Sequence, residues 1–232
     1  MEKPIYDVSE GGGPLLLNVP HAGTEVPDAI RERLTEAAQR VPDTDWHIPR
    51  LYDFASGLGA TTMVARMSRY VVDLNRPPTG ESLYPGQTTT GLCPVTLFTG
   101  APLYRTGDEP DDAEIDDRVG TFWRPYHDEL GRQLARIKSK HGYAILFDAH
   151  SIRSRVPRLF DGRLADFNLG TVKGKSCGVG FEEAALGVLG ACQGFTWVAN
   201  GRFIGGYITR HYGDPRAGIH ALQMEQSQIT YM

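Results

Sequence analysis

The sequence is poor in cysteine and contains no long apolar run. Its three cysteines, Cys93, Cys177 and Cys192, are odd in number and widely spaced, so they form neither a disulfide framework nor a CxxC metal site. No apolar stretch approaches the ~20 residues that a membrane-spanning helix needs. Residues 1–13 are polar and end in three glycines, unlike a secretory signal peptide. These absences favour a soluble protein of a reducing compartment, the cytoplasm.

The sequence also lacks a strong excess of either charge. Its formal net charge is −4, which gives no broad electrostatic reason to expect nucleic acid as a partner. A chain of 232 residues can bury a substantial core, and no internal repeat, low-complexity tract or linker divides it. We therefore expect one domain over residues 1–232, with a small molecule as its partner. Nothing in the sequence indicates an oligomeric state.

Short apolar runs alternate with amphipathic segments along the chain. The runs predict strands over residues 14–19, 60–65, 69–73, 143–147, 166–172, 196–199 and 218–225. The amphipathic segments predict helices over residues 27–40, 46–58, 111–140 and 181–193. Pro125 must kink or divide the third of these helices. The alternation predicts an α/β fold with a mixed, mostly parallel central sheet flanked by helices.

Residues 77–110 form a long segment rich in glycine, threonine and proline, with no predicted element. A segment of this length inside a compact domain is usually either functional or disordered. It also carries aromatic and apolar residues, namely Tyr84, Leu97, Phe98 and Tyr104. These residues favour an ordered loop.

Several residues with catalytic chemistry fall where predicted strands or helices begin or end. They are His21, Asp45, Asp73 with Asn75 and Arg76, Asp148 with His150, and Glu225. The carboxyl ends of parallel strands meet at one edge of a sheet, so these side chains are expected to converge there. Two histidines, one carboxylate and an open position for water make a catalytic zinc site. A further carboxylate would act as general base, and an arginine beside an amide can hold a substrate carboxylate.

Each of these residues also has an ordinary structural interpretation. An isolated histidine such as His21 is usually structural or exposed, and Asp45 could cap the helix that follows it. Glu225 could be solvated at a strand end, and Asn75 with Arg76 could be a turn followed by a surface cation. It is their joint occurrence at element ends that favours a metal-dependent active site.

Five sequence motifs resemble those of the N-formylglutamate amidohydrolase (deformylase) family. They are Pro20-His-Ala-Gly23, Asp43-Thr-Asp-Trp-His47, Ser68-Arg-Tyr-Val-Val-Asp-Leu-Asn-Arg-Pro77, Asp148-Ala-His-Ser151, and Gly201-Arg-Phe203 through Thr209-Arg-His-Tyr-Gly213. The resemblance runs from about residue 14 to residue 232. It implies the architecture shared by zinc carboxypeptidases (the zinc-exopeptidase or phosphorylase/hydrolase-like fold) and by the succinylglutamate desuccinylase and aspartoacylase group. It also implies hydrolysis of N-formyl-L-glutamate to formate and L-glutamate, a step of bacterial histidine breakdown.

The same resemblance implies roles for individual residues. His21 and His150 match the two zinc histidines, and Glu225 matches the general base. Asn75 and Arg76 are similar to the pair that holds a substrate carboxylate. Arg210 and His211 would meet a second carboxylate or the developing oxyanion, and Arg153 is a further candidate for substrate binding.

The second zinc ligand, a carboxylate, departs from the pattern of the related enzymes. They place a glutamate three residues after the first histidine, where this sequence has Thr24. Glu25 stands one residue later, in a loop that gives it no reason to face the metal. Asp45 is therefore the preferred ligand, with Glu25 as the alternative. Cobalt, manganese or iron would also suit such a ligand set.

Three other functions remain compatible with the sequence. The protein could hydrolyse another N-acyl amino acid, such as a succinyl or acetyl derivative. It could bind an amino-acid derivative without catalysis, or it could use Ser151 as a nucleophile without metal, although Ser151 lacks a GxSxG elbow. The implied fold would also continue into a further helix beyond Met232.

Overall fold

The computed structural model of the protein describes residues 4–83 and 86–232. Within them, seven strands form one sheet in the order β1-β3-β2-β4-β7-β5-β6. The strands are β1 (Tyr6–Ser9), β2 (Leu15–Val19), β3 (Thr61–Ala65), β4 (Ala144–Ile152), β5 (Phe167–Gly170), β6 (Trp197–Ala199) and β7 (Ile219–Ser227). The four central strands β3, β2, β4 and β7 are parallel, whereas β1 and β5 run antiparallel to β3 and β7. The predicted mixed, mostly parallel α/β sheet is confirmed.

Helices cover this sheet and connect its strands. They are α1 (Asp28–Arg31), α2 (Glu36–Gln39), α3 (Ile48–Leu51), α4 (Asp112–Arg118), α5 (Arg124–His141), α6 (Val179–Ala191) and α7 (Tyr207–Tyr212). Short 3-10 turns lie at Asp53–Leu58, Pro215–Ala217 and Gln228–Thr230. Within the described residues, none of these helices combines the length and apolarity required to cross a membrane.

The predicted strand over residues 69–73 is wrong. This segment forms a turn, and its apolar residues Tyr70 and Val71 are buried in a core cluster with Leu34 and Leu103. The Asp73 amide donates to the Leu92 carbonyl, in the long loop, at 2.7 Å. The segment is apolar because it packs between loops, and a short buried run of this kind resembles a strand in sequence.

Two predicted helices are shorter than expected. The segment 27–40 is divided into α1 and α2 because the Thr35 side chain accepts from the Ala38 amide and starts a second helix. The segment 46–58 begins its helix only at Ile48 and changes to a 3-10 turn after Leu51. Strand β1 and helix α7 were not predicted, because the first is four residues long and the second lies in a glycine-rich stretch.

The predicted division of the long helix near Pro125 is confirmed. A π-helical turn, Val119–Trp123, separates α4 from α5, and Pro125 stands in the first turn of α5, where its missing N–H has no helical partner to lose. One face of α5 is buried against the sheet through Tyr126, Leu130, Leu134 and Ile137. This face and the apolar residues of β2 and β4 form the main core.

The long loop over residues 77–110 is ordered where it is described. Leu97, Phe98 and Tyr104 are buried, as predicted, whereas Tyr84 lies outside the described residues.

Strand β2 connects to β3 on one side, and β4 enters on its other side. Open α/β sheets bind their ligands at such a switch point, outside the carboxyl ends of the strands.

His127 is a buried neutral histidine of α5 and gives the fold a testable pH dependence. Its Nε2 lies 2.9 Å from the Leu74 carbonyl oxygen, and burial lowers its pKa to about 4. The folded state therefore binds fewer protons than the unfolded state between that value and the unfolded pKa of ~6.5. Stability should fall by about 2 kcal/mol from this group as the pH drops from ~7 to ~5.

The matched variant is His127→Gln, which keeps a neutral donor for the Leu74 carbonyl and does not titrate. Urea unfolding at both pH values should show a smaller acid destabilisation in the variant than in the wild type. Equal losses in the two proteins would contradict a depressed pKa at His127.

Candidate metal centre and active site

Two buried histidines meet at the switch point between β2 and β4. His21 lies two residues beyond the end of β2, and its Nδ1 is 3.1 Å from the Nδ1 of His150. His150 lies within β4, because that strand runs to Ile152 and does not end at residue 147 as predicted. The longer strand fixes the backbone of His150 by pairing it with Glu225 on β7, whereas the pairing with β2 ends at Asp148.

A carboxylate holds the outer nitrogen of each histidine. His21 Nε2 lies 2.8 Å from Asp73 Oδ1, and His150 Nε2 lies 2.9 Å from Asp148 Oδ2. An ionised carboxylate only accepts hydrogen bonds, so each Nε2 carries the proton. In the neutral rings both Nδ1 lone pairs then face each other at 3.1 Å, an arrangement that either a bound cation or a proton on one Nδ1 stabilises. Metal-binding histidines are oriented by carboxylates in this way.

Asp45 completes a cluster of three potential metal ligands. Its Oδ2 lies 3.3 Å from His150 Nδ1 and 3.9 Å from His21 Nδ1, and the three ligand atoms lie within 4.8 Å of one another. Ligands ~2 Å from a tetrahedral ion are about 3.3 Å apart, so the cluster fits a zinc-sized ion. The Ser151 amide donates to Oδ2 at 3.0 Å, and Arg69 pairs with Oδ1. Asp45 thus presents one oxygen to the site.

Glu25, the alternative ligand, does not join this cluster. Its Oε1 accepts from Arg66 Nη2 at 2.6 Å, and its side chain is 32 % exposed. The ion pair engages the carboxylate, and Glu25 is not one of the three clustered residues. Asp45 is the carboxylate that the structure brings to the two histidines.

The pKa values of the two histidines are shifted in opposite directions. Burial, reinforced by the positive charge of Arg69, lowers the pKa of His21. Burial also opposes protonation of His150, but Asp148 and Asp45 outweigh it and raise the pKa of His150 well above its ordinary value. The site therefore attracts positive charge at the point where the two Nδ1 atoms and Asp45 meet.

Glu225 lies beside His150 as its register partner on β7. Burial raises the pKa of its carboxyl to about 8, with the negative charge of Asp45 adding to the effect of burial. A buried carboxyl with a pKa near neutrality, next to potential metal ligands, can exchange protons with a reacting group.

A narrow cleft opens above these residues. Its polar lining comprises His21, Arg69, Asn75, Arg76, Thr89, Thr90, His150, Ser151, Arg202, Gln223 and Glu225, and its apolar lining includes Phe98, Ile152, Leu159 and Phe203. Three arginines, Arg69, Arg76 and Arg202, therefore line a cleft together with the buried carboxyl of Glu225. This charge pattern suits an anionic small molecule.

Asn75 and Arg76 both line the cleft, but their groups are held differently. Asn75 Oδ1 accepts from the Ile208 amide at 2.8 Å, and its Nδ2 donates to Asp148 Oδ2 at 3.5 Å. Arg76 donates to Thr90 and to the Asn75 carbonyl, all uncharged acceptors. Arg76 therefore brings positive charge to the cleft, and Asn75 supports Asp148, the partner of His150.

Three further residues predicted to contact substrate do not line this cleft. Arg153 pairs with Asp43 at 3.2 Å, and Arg210 Nε donates to the Gly205 carbonyl at 2.9 Å. The His211 ring stacks on Tyr207. Ser151, the alternative nucleophile, does line the cleft. Its hydroxyl accepts from Gln228 Nε2, and no hydrogen bond joins it to a histidine within the described residues.

Sequence reasoning assigned no role to Arg69, Arg202 or Gln223, which the structure brings to the cleft. Arg69 and Arg202 lie inside two of the five family-like motifs, and this position is the only indication of a role for them in the sequence. Gln223 lies two residues before Glu225 on β7, so the two-residue period of a strand places both on one face.

A histidine–aspartate–histidine cluster beside a buried carboxyl, at the switch point of a mixed α/β sheet, is compatible with the class of metal-dependent hydrolases. The comparisons agree with this class. The N-formylglutamate amidohydrolase family profile matches residues 13–232. The chain belongs to that family.

Two relatives and two solved structures illustrate the similarity. The chain is 53 % identical to the N-formylglutamate deformylase of Pseudomonas putida and 52 % identical to that of Pseudomonas aeruginosa, each over 98 % of this chain and 85 % of the relative. Its fold is similar to that of N-formylglutamate amidohydrolase from Ralstonia eutropha JMP134, with a TM-score of 0.81, 23 % identity and coverage of 98 % and 87 %. A protein of Agrobacterium tumefaciens follows with a TM-score of 0.71, 20 % identity and coverage of 98 % and 86 %.

Proposed function

We propose that this protein hydrolyses N-formyl-L-glutamate to formate and L-glutamate, with zinc held by His21, Asp45 and His150. The observation that carries the proposal is the convergence of these three side chains, with both imidazoles oriented by carboxylates, next to Glu225. The names of the relatives at 52–53 % identity support the substrate.

When bound, zinc would supply a Lewis acid that polarises the formyl carbonyl and lowers the pKa of a water molecule. Ionised Glu225, a form that a bound cation nearby would favour, takes a proton from the attacking water and returns it to the leaving amine as the C–N bond breaks. Arg69 supplies positive charge near the carbonyl oxygen, where negative charge develops during attack. The products are formate and the free amine of glutamate.

Arg76 holds a carboxylate of the substrate in this proposal, and Arg202, which also lines the cleft, adds further positive charge. Charge-assisted contacts of this kind fix the position of the reacting amide more than they change its chemistry. Asn75 keeps Asp148, the partner of His150, and the start of α7 in place.

A substrate panel tests the proposed function. Purified, zinc-loaded protein should release formate from N-formyl-L-glutamate with a kcat/KM at least about 100-fold above its values for the N-acetyl and N-succinyl analogues. Preference for one of the analogues would move the enzyme to another N-acyl amino acid. Binding without any product would make it a non-catalytic protein.

Replacing the arginine that is proposed to bind the substrate carboxylate should selectively lower the rate of substrate hydrolysis. Arg76→Ala is expected to lower kcat/KM for N-formyl-L-glutamate by about 10²-fold, because a carboxylate in the cleft loses its charged partner. Arg153→Ala removes the same charge from a residue outside the cleft and serves as the matched control. Equal losses in the two variants would show that the effect is general electrostatics and not recognition at Arg76.

A further inference from the structure

Asn18 and Asp148 form a polar pair within an otherwise apolar layer. They are register partners on β2 and β4, and both side chains are fully buried. Their strand neighbours Leu16 and Leu146 belong to the main core beneath α5. Burying an amide and a charged carboxylate here is costly unless every polar atom has a partner. A buried polar pair at the centre of the sheet therefore needs an explanation beyond packing.

The explanation lies in a chain of short hydrogen bonds from α5 to the candidate metal centre. Tyr126 Oη donates to Asn18 Oδ1 at 2.6 Å, and Asn18 Nδ2 donates to Asp148 Oδ1 at 2.7 Å. The other oxygen of Asp148 lies 2.9 Å from His150 Nε2. Because the hydroxyl proton goes to the amide oxygen, the NH₂ group of Asn18 must face the carboxylate.

We propose that Tyr126 and Asn18 are positioning residues that orient the metal ligand His150 through Asp148. This inference rests on the metal site of the proposed function. A fixed Asp148 accepts the Nε2 proton of His150, which leaves the Nδ1 lone pair directed at the metal position. Outer partners of metal-binding histidines typically influence affinity by about 10- to 100-fold.

The two histidines are supported in different ways. Asp73, the partner of His21, is held locally, since its Oδ1 accepts from the amide of Asn75 two residues away at 2.9 Å. Asp148 is held instead by Asn18, which lies 130 positions away in sequence. Asn18 is held in turn by Tyr126, which lies 108 positions from it. Zinc binding should therefore depend on the packing of α5 through His150 and not through His21.

The test measures zinc affinity of the metal-free protein by competition with a chromogenic chelator. Asn18→Leu should weaken zinc binding by about 10- to 100-fold, and Tyr126→Phe, which removes one oxygen, by about threefold to tenfold. Tyr212→Phe is the matched control, because it removes a partly buried hydroxyl that donates to the His127 carbonyl. It should leave the zinc dissociation constant unchanged while lowering Tm by a similar amount.

A double variant separates positioning from general loosening of the core. If Tyr126 acts through Asn18, Tyr126→Phe should have no further effect on zinc affinity in the Asn18→Leu background. An undiminished effect there, or equal affinities for Tyr126→Phe and Tyr212→Phe, would overturn the inference. Tyr126→Phe carries the test alone if Asn18→Leu fails to fold.

The measurement also distinguishes this inference from the proposed function. A wild-type protein that binds zinc tightly, with variants that bind equally well, would refute the role of Tyr126 and Asn18 and leave the metal site intact. A wild-type protein without zinc affinity would refute both.

Discussion

Replacing Glu225 by glutamine should lower kcat for N-formyl-L-glutamate by about 10²- to 10⁴-fold, the range expected for loss of a general base. The amide keeps the shape of the side chain but cannot accept the proton of the attacking water. Glu225 is not one of the three side chains whose ligand atoms converge, so zinc affinity should remain within about threefold of the wild type. Initial rates and chelator competition on the same preparation measure the two quantities.

The matched control is Glu182→Gln on α6, which makes the same chemical change at a carboxylate that accepts from Thr171 outside the cleft. Its kcat should be close to that of the wild type. A Glu225→Gln enzyme with an ordinary kcat would remove Glu225 from the chemistry, and proton transfer would have to be assigned to another group.

Replacing Asp45 by asparagine should weaken zinc binding by at least about 100-fold, because the site loses its only anionic ligand. Asparagine preserves the volume beside Arg69, so the variant tests ligation more than packing. Activity should fall in parallel and should be partly restored by a large excess of zinc, since mass action refills a weakened site.

Glu25→Gln is the comparison that decides between the two carboxylates. It breaks only the half-exposed ion pair with Arg66, which should cost no more than about 1 kcal/mol of stability. Zinc affinity and kcat should both stay near wild type. A loss of zinc in Glu25→Gln together with normal binding in Asp45→Asn would reverse the assignment.

The sequence predicted the class of fold because strand and helix periodicities are local properties. Strands β2, β4 and β7 were recognisable as short apolar runs, and α5 carried a clear helical stripe. The error at residues 69–73 arose because a buried turn has the same composition as a buried strand. Strand β1 was missed because four residues give too short a period to detect.

The convergence of the candidate site was predictable in outline for a physical reason. His21, His150 and Glu225 stand at the carboxyl ends of neighbouring parallel strands, and such ends meet at one edge. Arg69 and Arg202 were beyond reach because loops position them. A loop's path depends on contacts distant in sequence, such as that of Arg202 Nη2 with the Thr88 carbonyl.

The orienting network could not be derived from spacing at all. Asn18 next to Asp148 depends on the register between β2 and β4, and Tyr126 reaches Asn18 only when α5 packs across both strands. In sequence, Asn18 is a single polar residue at the end of an apolar run. Its significance emerges only from its neighbours in space.

The most direct test of the account is formate release from N-formyl-L-glutamate before and after chelation. Activity should disappear when a strong chelator removes the metal and return when zinc is restored, with one zinc bound per chain at full activity. Formate release that is indifferent to chelation, from protein shown to be metal-free, would contradict the central role of His21, Asp45 and His150.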